Sequence, residues 1–253
     1  MKYAIATLLF AAAAFTYAES PAHLTAEEWL EQHIDAPEPP LHTAAAAGNA
    51  EECRRLIAEG ADVNAPSIPP MPEKKQGYGE TPLMLAARNG HIDICRLLLA
   101  SGAVADETTL YECATPLCEA AAAGHSEICS LLLHAGAEVN AYTRTCTTPL
   151  MLAALNGHAD TCRQLLAAGA DARAIDREGD TPLHYALNGI LSDTSSPEAC
   201  MEIISLLIQA GAHAKYANDD EETPIDRAAL IERIDILQHL LDESASATPK
   251  KTP

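Results

Sequence analysis

Ten histidines and eight cysteines are the residues of this 253-residue chain whose chemistry could include metal or haem binding. Metal sites usually pair such residues at short spacings, and neither a His-x-x-x-His nor a Cys-x-x-Cys pair occurs. Five histidines instead recur in the phrases Gly-His and Pro-Leu-His, namely His91, His125, His158, His42 and His184. We expect these rings to bond neighbouring backbone, and we expect neither a metal nor a cofactor.

Four cysteines share one position, five residues after a recurring glycine: Cys53, Cys95, Cys129 and Cys162. If the recurring segments stack, these thiols form a buried column. Neighbouring helices pack roughly 8–10 Å apart, whereas a disulfide needs Cα atoms within about 7 Å, so free thiols are expected. Cys113 and Cys146 are the best candidates for a bridge, under the same distance objection. The states of Cys118 and Cys200 stay open.

Motifs of the common catalytic sites are absent from the sequence. It has no Gly-x-Ser-x-Gly nucleophile turn, no glycine-rich phosphate loop and no zinc-protease histidine pair. The chain carries 36 acidic residues against 16 basic ones, a formal net charge of -20. Because affinity for phosphate backbones comes mainly from Lys and Arg, this charge argues against nucleic-acid binding. We predict a protein that is not an enzyme.

The elements that hold these residues repeat along the chain. A phrase that begins Thr-Pro-Leu starts at Thr81, Thr115, Thr148 and Thr181, with weaker copies at Pro40-Leu41-His42 and Thr223-Pro224-Ile225. The steps between the six prolines are 42, 34, 33, 33 and 42 residues. A second phrase, Gly-Ala, follows each of the first five copies. A fixed period of this length indicates a stack of similar units.

Each unit predicts a pair of helices. Thr caps a helix, and Pro is tolerated at the first helical position because an N–H there has no partner within the helix. Gly90 or its equivalent ends the first helix, and Ile92 starts a second run with apolar residues at helical spacing. Only 4% of residues are aromatic although 48% are hydrophobic, which fits thin, Ala-lined layers. One such unit cannot cover its own apolar face, so neighbours must supply the cover.

This pattern resembles the ankyrin repeat, whose Thr-Pro-Leu-His phrase is intact at Thr181 to His184. The resemblance covers residues 39–242 and implies an all-α solenoid of about six helix pairs with β-hairpin fingers. It also implies a protein-binding module. Two stretches of nine extra residues depart from the pattern, one within 66–80 and one around 190–198. Insertions in solenoids tend to form loops on one face.

The segments outside the repeats have different patterns. Met1-Lys2 precedes an apolar run that ends in small residues, which predicts a signal peptide over 1–18, cleaved after Ala18 or, second, after Ala14. Residues 19–38 predict a capping helix and a proline-rich connection, and 243–253 predict a disordered tail. We therefore expect an exported bacterial protein, in the periplasm or secreted, without a stable membrane anchor after cleavage.

The fingers between helix pairs contain residue types that favour binding. Four tyrosines and two arginines are predicted to contact a partner there: Tyr78, Tyr111, Tyr142, Tyr216, Arg144 and Arg177. Tyr and Arg are enriched among the residues that dominate binding energy. Tyr185, by contrast, occupies a core position and predicts packing.

The sequence therefore favours a monomeric, non-catalytic module that binds a protein partner through its fingers and first helices. Two alternatives stay open. One is a redox or haem-handling helper of an oxidative-defence enzyme, which needs exposed thiols of low pKa or ligating histidines. The other is an immunity-type inhibitor that blocks a toxin. The sequence does not identify the partner.

Overall fold

A computed structural model describes residues 39–67, 79–109, 112–231 and 234–246. Twelve helices form six pairs within these ranges. The first helices of the pairs are Pro40–Ala46 (α1), Pro82–Arg88 (α3), Pro116–Ala122 (α5), Pro149–Leu155 (α7), Pro182–Leu191 (α9) and Pro224–Leu230 (α11). The second helices are Ala50–Ala58 (α2), Ile92–Ala100 (α4), Ser126–His134 (α6), Ala159–Ala167 (α8), Pro197–Gln209 (α10) and Ile234–Ser246 (α12).

The first helices begin as the Thr-Pro phrase predicts. The Thr81 hydroxyl accepts a hydrogen bond from the Met84 N–H at 3.3 Å, and Pro82 fills the first helical position. Thr115, Thr148 and Thr223 make the same bond in their own pairs. Each cap satisfies an N–H that the helix leaves without a partner, so the recurring Thr fixes where the helix starts.

The helices stack in two layers. First helices contact first helices along the series α1, α3, α5, α7, α9 and α11, and the second helices form a parallel series. The alanine pair of the first helices, such as Ala86-Ala87 and Ala120-Ala121, is fully buried. Because alanine occupies so little space, neighbouring helices approach closely and each layer stays thin. The core is thus built by stacking, as predicted.

Histidines join successive pairs. Nε2 of His91 lies 3.1 Å from the carbonyl oxygen of Ala46, at the end of the preceding first helix. His125 and His158 contact Arg88 and Ala122 of their preceding pairs in the same way. The prediction that Gly-His rings bond neighbouring backbone is confirmed. In the fifth pair the hydroxyl of Thr194 takes over this role and donates to Leu155.

The Cys53, Cys95, Cys129 and Cys162 side chains are fully buried, as expected of a column, and Cys200 of the fifth pair is buried as well. All eight cysteines are free, so the candidate bridge between Cys113 and Cys146 is not formed. Both of these residues have a left-handed backbone, with φ of 52° and 63°. Gly79 and Gly179 occupy the matching positions of other fingers.

The fingers differ from the expected β-hairpins, since no strand occurs in the described ranges. Finger 143–147 is closed by a backbone hydrogen bond from the Thr143 N–H to the Thr147 carbonyl, 3.0 Å long. A similar bond runs from Asp176 to Asp180. One such closure makes a tight turn but leaves too few paired groups for a strand ladder.

The insertion around 190–198 forms no free loop. It extends α9 to Leu191, supplies a short turn, and starts α10 at Pro197, where Ser196 caps the helix. Ile190 packs against the core, whereas Leu191 and residues 192–194 of the turn are exposed. The other insertion, within 66–80, falls mostly outside the described residues.

The last helix ends later than the predicted end of the repeats. Helix α12 continues to Ser246, past the predicted end of the repeats at residue 242. Residues 243–246 of the tail expected over 243–253 are therefore helical, and residues 247–253 lie outside the described residues. The signal peptide over 1–18 and the cap over 19–38 lie outside the described residues.

Candidate binding surface

The turns at the ends of the fingers form the edge of the molecule where the predicted site residues lie. We call turns 143–147, 176–180 and 218–222 the finger tips. Each is closed by one backbone hydrogen bond of 3.0–3.1 Å between its first and last residue. Each also has one residue with positive φ just before the last: Cys146, Gly179 and Glu221. The same backbone design therefore recurs with different side chains.

Backbone hydrogen bonds tie neighbouring tips together. The Arg144 N–H donates to the Glu112 carbonyl at 2.7 Å, and the Arg177 N–H donates to the Thr145 carbonyl at 3.1 Å. The Asp219 N–H continues the series to Glu178 at 3.0 Å. Because these bonds use backbone groups, they leave the Arg144 and Arg177 side chains available. The tips form a continuous, braced edge.

Hydroxyl groups further brace tips 143–147 and 176–180, which we call the two central tips. Thr143, Thr145 and Thr147 are joined by side-chain hydrogen bonds of 3.0 and 2.9 Å. The Tyr185 hydroxyl donates to the Asp176 carboxylate at 2.8 Å and lies 3.2 Å from the Thr147 hydroxyl. The Tyr185 ring packs against the core. The expectation that Tyr185 serves packing is confirmed, with a further polar role that its repeat position did not indicate.

This ladder of tips and helix pairs matches a known sequence pattern. A family model described as ankyrin repeats (3 copies) matches residues 8–109, 41–143 and 117–194. These matches together cover more than half of the chain. The chain belongs to the ankyrin repeat family. Ankyrin repeats are generally protein–protein interaction modules and are typically non-catalytic. No curated protein matches the chain.

The ankyrin fold places four of the predicted site residues at the tips. Arg144 and Arg177 begin the central turn of neighbouring tips and are exposed. Tyr142, just before its tip, is 66% exposed, and Tyr216 is 41% exposed. The other two, Tyr78 and Tyr111, lie outside the described residues. The four described residues occupy one edge, but Tyr216 is separated from Tyr142 by a whole finger.

Sequence reasoning missed one residue of this edge. Ile175 is 48% exposed and holds the position in its finger that Tyr142 holds in the preceding one, seven residues before the repeat proline. The residue-type preference that singled out the finger tyrosines does not extend to isoleucine. Alignment of the fingers by their prolines was the available signal. Tyr142 and Ile175 together make an exposed apolar pair beside Arg144 and Arg177.

A concavity lies among the second helices, away from the finger tips. It is an open groove of about 370 Å³ whose lining is mostly polar: Ile92, Arg96, Ser126, Glu127, Ser130 and Gln164. These residues come from α4, α6 and α8, so the groove belongs to the second-helix layer and not to the finger tips. Its polar, open walls are unlike the apolar pockets that usually enclose small molecules.

The described ranges bear on two other kinds of function, metal binding and membrane crossing. They hold no group of three or more His, Cys, Asp or Glu side chains placed to bind a metal ion. No helix in those ranges combines the length and the apolar character that a membrane crossing requires. His42 and His184, from the Pro-Leu-His phrase, instead contact the carbonyls of Glu80 and Glu222, both at 3.1 Å.

Proposed function

We propose that this ankyrin repeat protein is exported and binds a protein partner through its finger tips and the adjoining first helices. The observation that carries the proposal is the braced edge itself. Tyr142, Ile175, Arg144 and Arg177 are exposed on turns that backbone hydrogen bonds hold in place. A surface fixed before binding loses less conformational entropy when the partner docks.

Export rests on the leader pattern of residues 1–18, and the periplasm is the compartment it favours. Cleavage after Ala18 removes Lys2 and gives a mature chain of formal charge -21. The intact mass of protein recovered from a bacterial periplasm tests this proposal. A chain that begins at Glu19 supports export, whereas a cytoplasmic chain that keeps residues 1–18 contradicts it.

The binding surface is tested by affinity capture. Mature protein immobilised on beads is exposed to a periplasmic extract, and the bound proteins are identified by mass spectrometry. A Tyr142→Ala/Tyr216→Ala variant should retain several-fold less of the specific partner, because truncated aromatic anchors typically cost more binding energy than other contacts. Its thermal melt should stay unchanged, since both side chains are exposed.

The matched control changes the outer groove instead. A Ser130→Ala/Gln164→Ala variant alters two side chains of the second-helix layer. It should capture the partner as the unaltered protein does. Equal capture by the tyrosine variant, or loss in the groove variant alone, would move the binding surface away from the tips.

The six buried thiols give no support to a redox role. Six of the eight cysteines are buried, and burial raises the pKa of each of these thiols above its usual value. For Cys95, Cys129, Cys162 and Cys200 the pKa rises to about 12. Reactive cysteines need the opposite, an accessible thiol of lowered pKa.

A further inference from the structure

Most arginines of the described residues have partners. Four of them contact carboxylates: Arg55, Arg88, Arg163 and Arg227. Arg173 donates to the Gly211 carbonyl at 2.6 Å. With 36 acidic residues in the chain, a guanidinium has many carboxylates available to it. Four of the nine described arginines are exceptions, with no side-chain partner among the described residues: Arg54, Arg96, Arg144 and Arg177.

Arg144 and Arg177 are such exceptions. Among the described residues, neither side chain forms a hydrogen bond or an ion pair, although the backbone N–H groups of both are bonded. They occupy the same position, five residues before the repeat proline, in neighbouring fingers. The bond from the Arg177 N–H to the Thr145 carbonyl holds the two tips side by side. The result is a pair of exposed arginines without side-chain partners on neighbouring tips, with Asp176 and the exposed Glu178 on either side of Arg177 in sequence.

An apolar pair accompanies the cations. Tyr142 and Ile175 each lie two residues before the arginine of their own finger, and both are exposed. A guanidinium matches a carboxylate with two parallel N–H···O bonds, and exclusion of water by apolar neighbours strengthens such a pair. The edge thus offers charge recognition and apolar contact at one place.

We propose that these two central tips bind an acidic peptide segment of a protein partner. Its Asp or Glu carboxylates contact Arg144 and Arg177, and an aliphatic or aromatic residue beside them covers Tyr142 and Ile175. This inference rests on the proposed function and adds the chemistry of the partner. Charge complementarity supplies the argument: two exposed guanidinium groups without partners among the described residues lie on neighbouring tips.

The neighbouring tips limit how long the acidic stretch is. Glu112 is exposed on one side of the arginine pair, and Asp219 and Asp220 are exposed on the other. Carboxylates of a partner would meet like charges at these positions, which is unfavourable. Glu178, exposed next to Arg177, adds a like charge on the second of these tips. The bound segment therefore places its acidic residues opposite the two guanidinium groups and is neutral or basic elsewhere.

A peptide selection tests the proposal. A random dodecapeptide library displayed on phage is selected on the mature protein. Enriched peptides are synthesised, and their affinities are measured by fluorescence anisotropy. We expect two or more acidic residues close together beside an apolar one. Against an Arg144→Glu/Arg177→Glu variant, affinity should fall by at least about tenfold because attraction becomes repulsion. Higher NaCl should weaken binding to the unaltered protein.

The matched control is an Arg54→Glu/Arg96→Glu variant. The side chains of these two exposed arginines, in α2 and α4, also form no hydrogen bond or ion pair with described residues. The variant makes the same change of net charge, yet it should bind the selected peptides as before. Equal losses in both variants would mean that overall charge acts instead of the tips, and would overturn the inference.

A Tyr142→Ala/Ile175→Ala variant separates this inference from the proposed function. Peptides that lack acidic residues but lose affinity for this variant would overturn the acidic partner and leave the finger-tip surface standing. Peptides that bind the apolar and the arginine variants undiminished would overturn both. A selection that enriches no peptide also counts against an acidic segment as the ligand.

Discussion

Gly90 and Gly102 show how the same backbone conformation serves two purposes. Both have positive φ, 78° and 94°, and both end a helix or the turn that follows it. A Cβ on Gly90 would lie 2.7 Å from Cε1 of His125, whose ring bonds the Arg88 carbonyl. A Cβ on Gly102 would have no atom within 4 Å. Gly90 is therefore fixed by packing as well as by conformation.

The two positions give a matched pair of alanine substitutions. Gly102→Ala should cost about 1–2 kcal/mol of unfolding free energy, the price of left-handed backbone with a Cβ. Gly90→Ala should cost about 1–3 kcal/mol more, because the methyl group displaces the His125 ring. Urea unfolding followed by circular dichroism measures both. Equal losses would show that the contact between repeats adds nothing beyond backbone strain.

The cysteines differ in how accessible they are to reagents. Six are buried, whereas Cys113 is exposed and Cys146 is half-buried at the finger tips. Ellman's reagent should therefore modify only these two quickly in the native protein at neutral pH, and all eight after denaturation. The control is a Cys113→Ser/Cys146→Ser variant, in which the fast phase of the reaction should disappear. Rapid modification of a buried thiol would contradict the column, and no modification would indicate a Cys113–Cys146 bridge.

At the scale of elements, the last helix pair is held by a buried charged cluster. Arg227 of α11 binds the Asp180 carboxylate at 2.7 Å, and their side chains are only 10% and 9% exposed. Arg227 also binds Glu222, and the Asn218 amide donates to Asp180 at 2.7 Å. Burial raises the pKa of Asp180, but the bonds from Arg227 and Asn218 outweigh it and lower the pKa below its usual value. The carboxylate thus stays charged to unusually low pH.

The sequence pattern predicted the helix pairs because each pair contains residues that mark where its helices begin and end. The Thr cap, the Pro and the glycine are local signals, and His91 bonds backbone where its repeat position predicted. The Asp180–Arg227 cluster was not predicted, because it joins residues 47 positions apart that belong to no shared motif. The turn form of the fingers was missed for a related reason. Whether the bond between Thr143 and Thr147 begins a β-strand ladder or only closes a turn depends on the conformation of the residues between them, which no single residue type determines.

His184 makes the same pair of repeats sensitive to pH. The Thr181 N–H donates to its Nδ1 at 3.0 Å, so Nε2 carries the proton and donates to the Glu222 carbonyl at 3.1 Å. Burial lowers the pKa of His184 below its usual 6.5. As pH falls below about 6.5, the unfolded chain binds a proton that the folded ring resists. The contribution of neutral His184 to the free energy of unfolding is therefore fully present above that pH, and it is lost as pH falls toward the pKa of His184 in the folded protein.

We expect the free energy of unfolding, measured in urea, to decrease as pH is lowered from 7.5 to 5.5, by up to about 1.4 kcal/mol for each pH unit below the unfolded-state pKa of His184. A His184→Gln variant should be less stable at neutral pH, yet lose less on acidification. Some dependence should remain, since burial also lowers the pKa of His158. The control is His213→Gln at an exposed position. An unchanged slope in the His184 variant would contradict the mechanism.

At the scale of the whole molecule, cohesion is local but charge is not. The buried residues of the described part form one continuous cluster from Leu41 to Leu240, yet each helix pair packs mainly against its neighbours in the series. The net charge of -20, by contrast, acts between all the repeats. The Debye length is about 30 Å at 0.01 M salt, long enough to couple several layers, and about 8 Å at 0.15 M. Repulsion between repeats should therefore matter most in dilute buffer.

Sodium chloride should accordingly raise the melting temperature. Between about 0.01 and 0.15 M we expect an increase of a few degrees at pH 7.5, because screening weakens self-repulsion more than it weakens the buried Asp180–Arg227 pair. An Asp219→Asn/Asp220→Asn variant removes two exposed charges from one finger tip. It should melt higher than the unaltered protein in dilute buffer and respond less to salt. A melting temperature that falls as salt is added would mean that favourable surface ion pairs, such as those of Arg55 with Glu52 and Glu59, outweigh the repulsion.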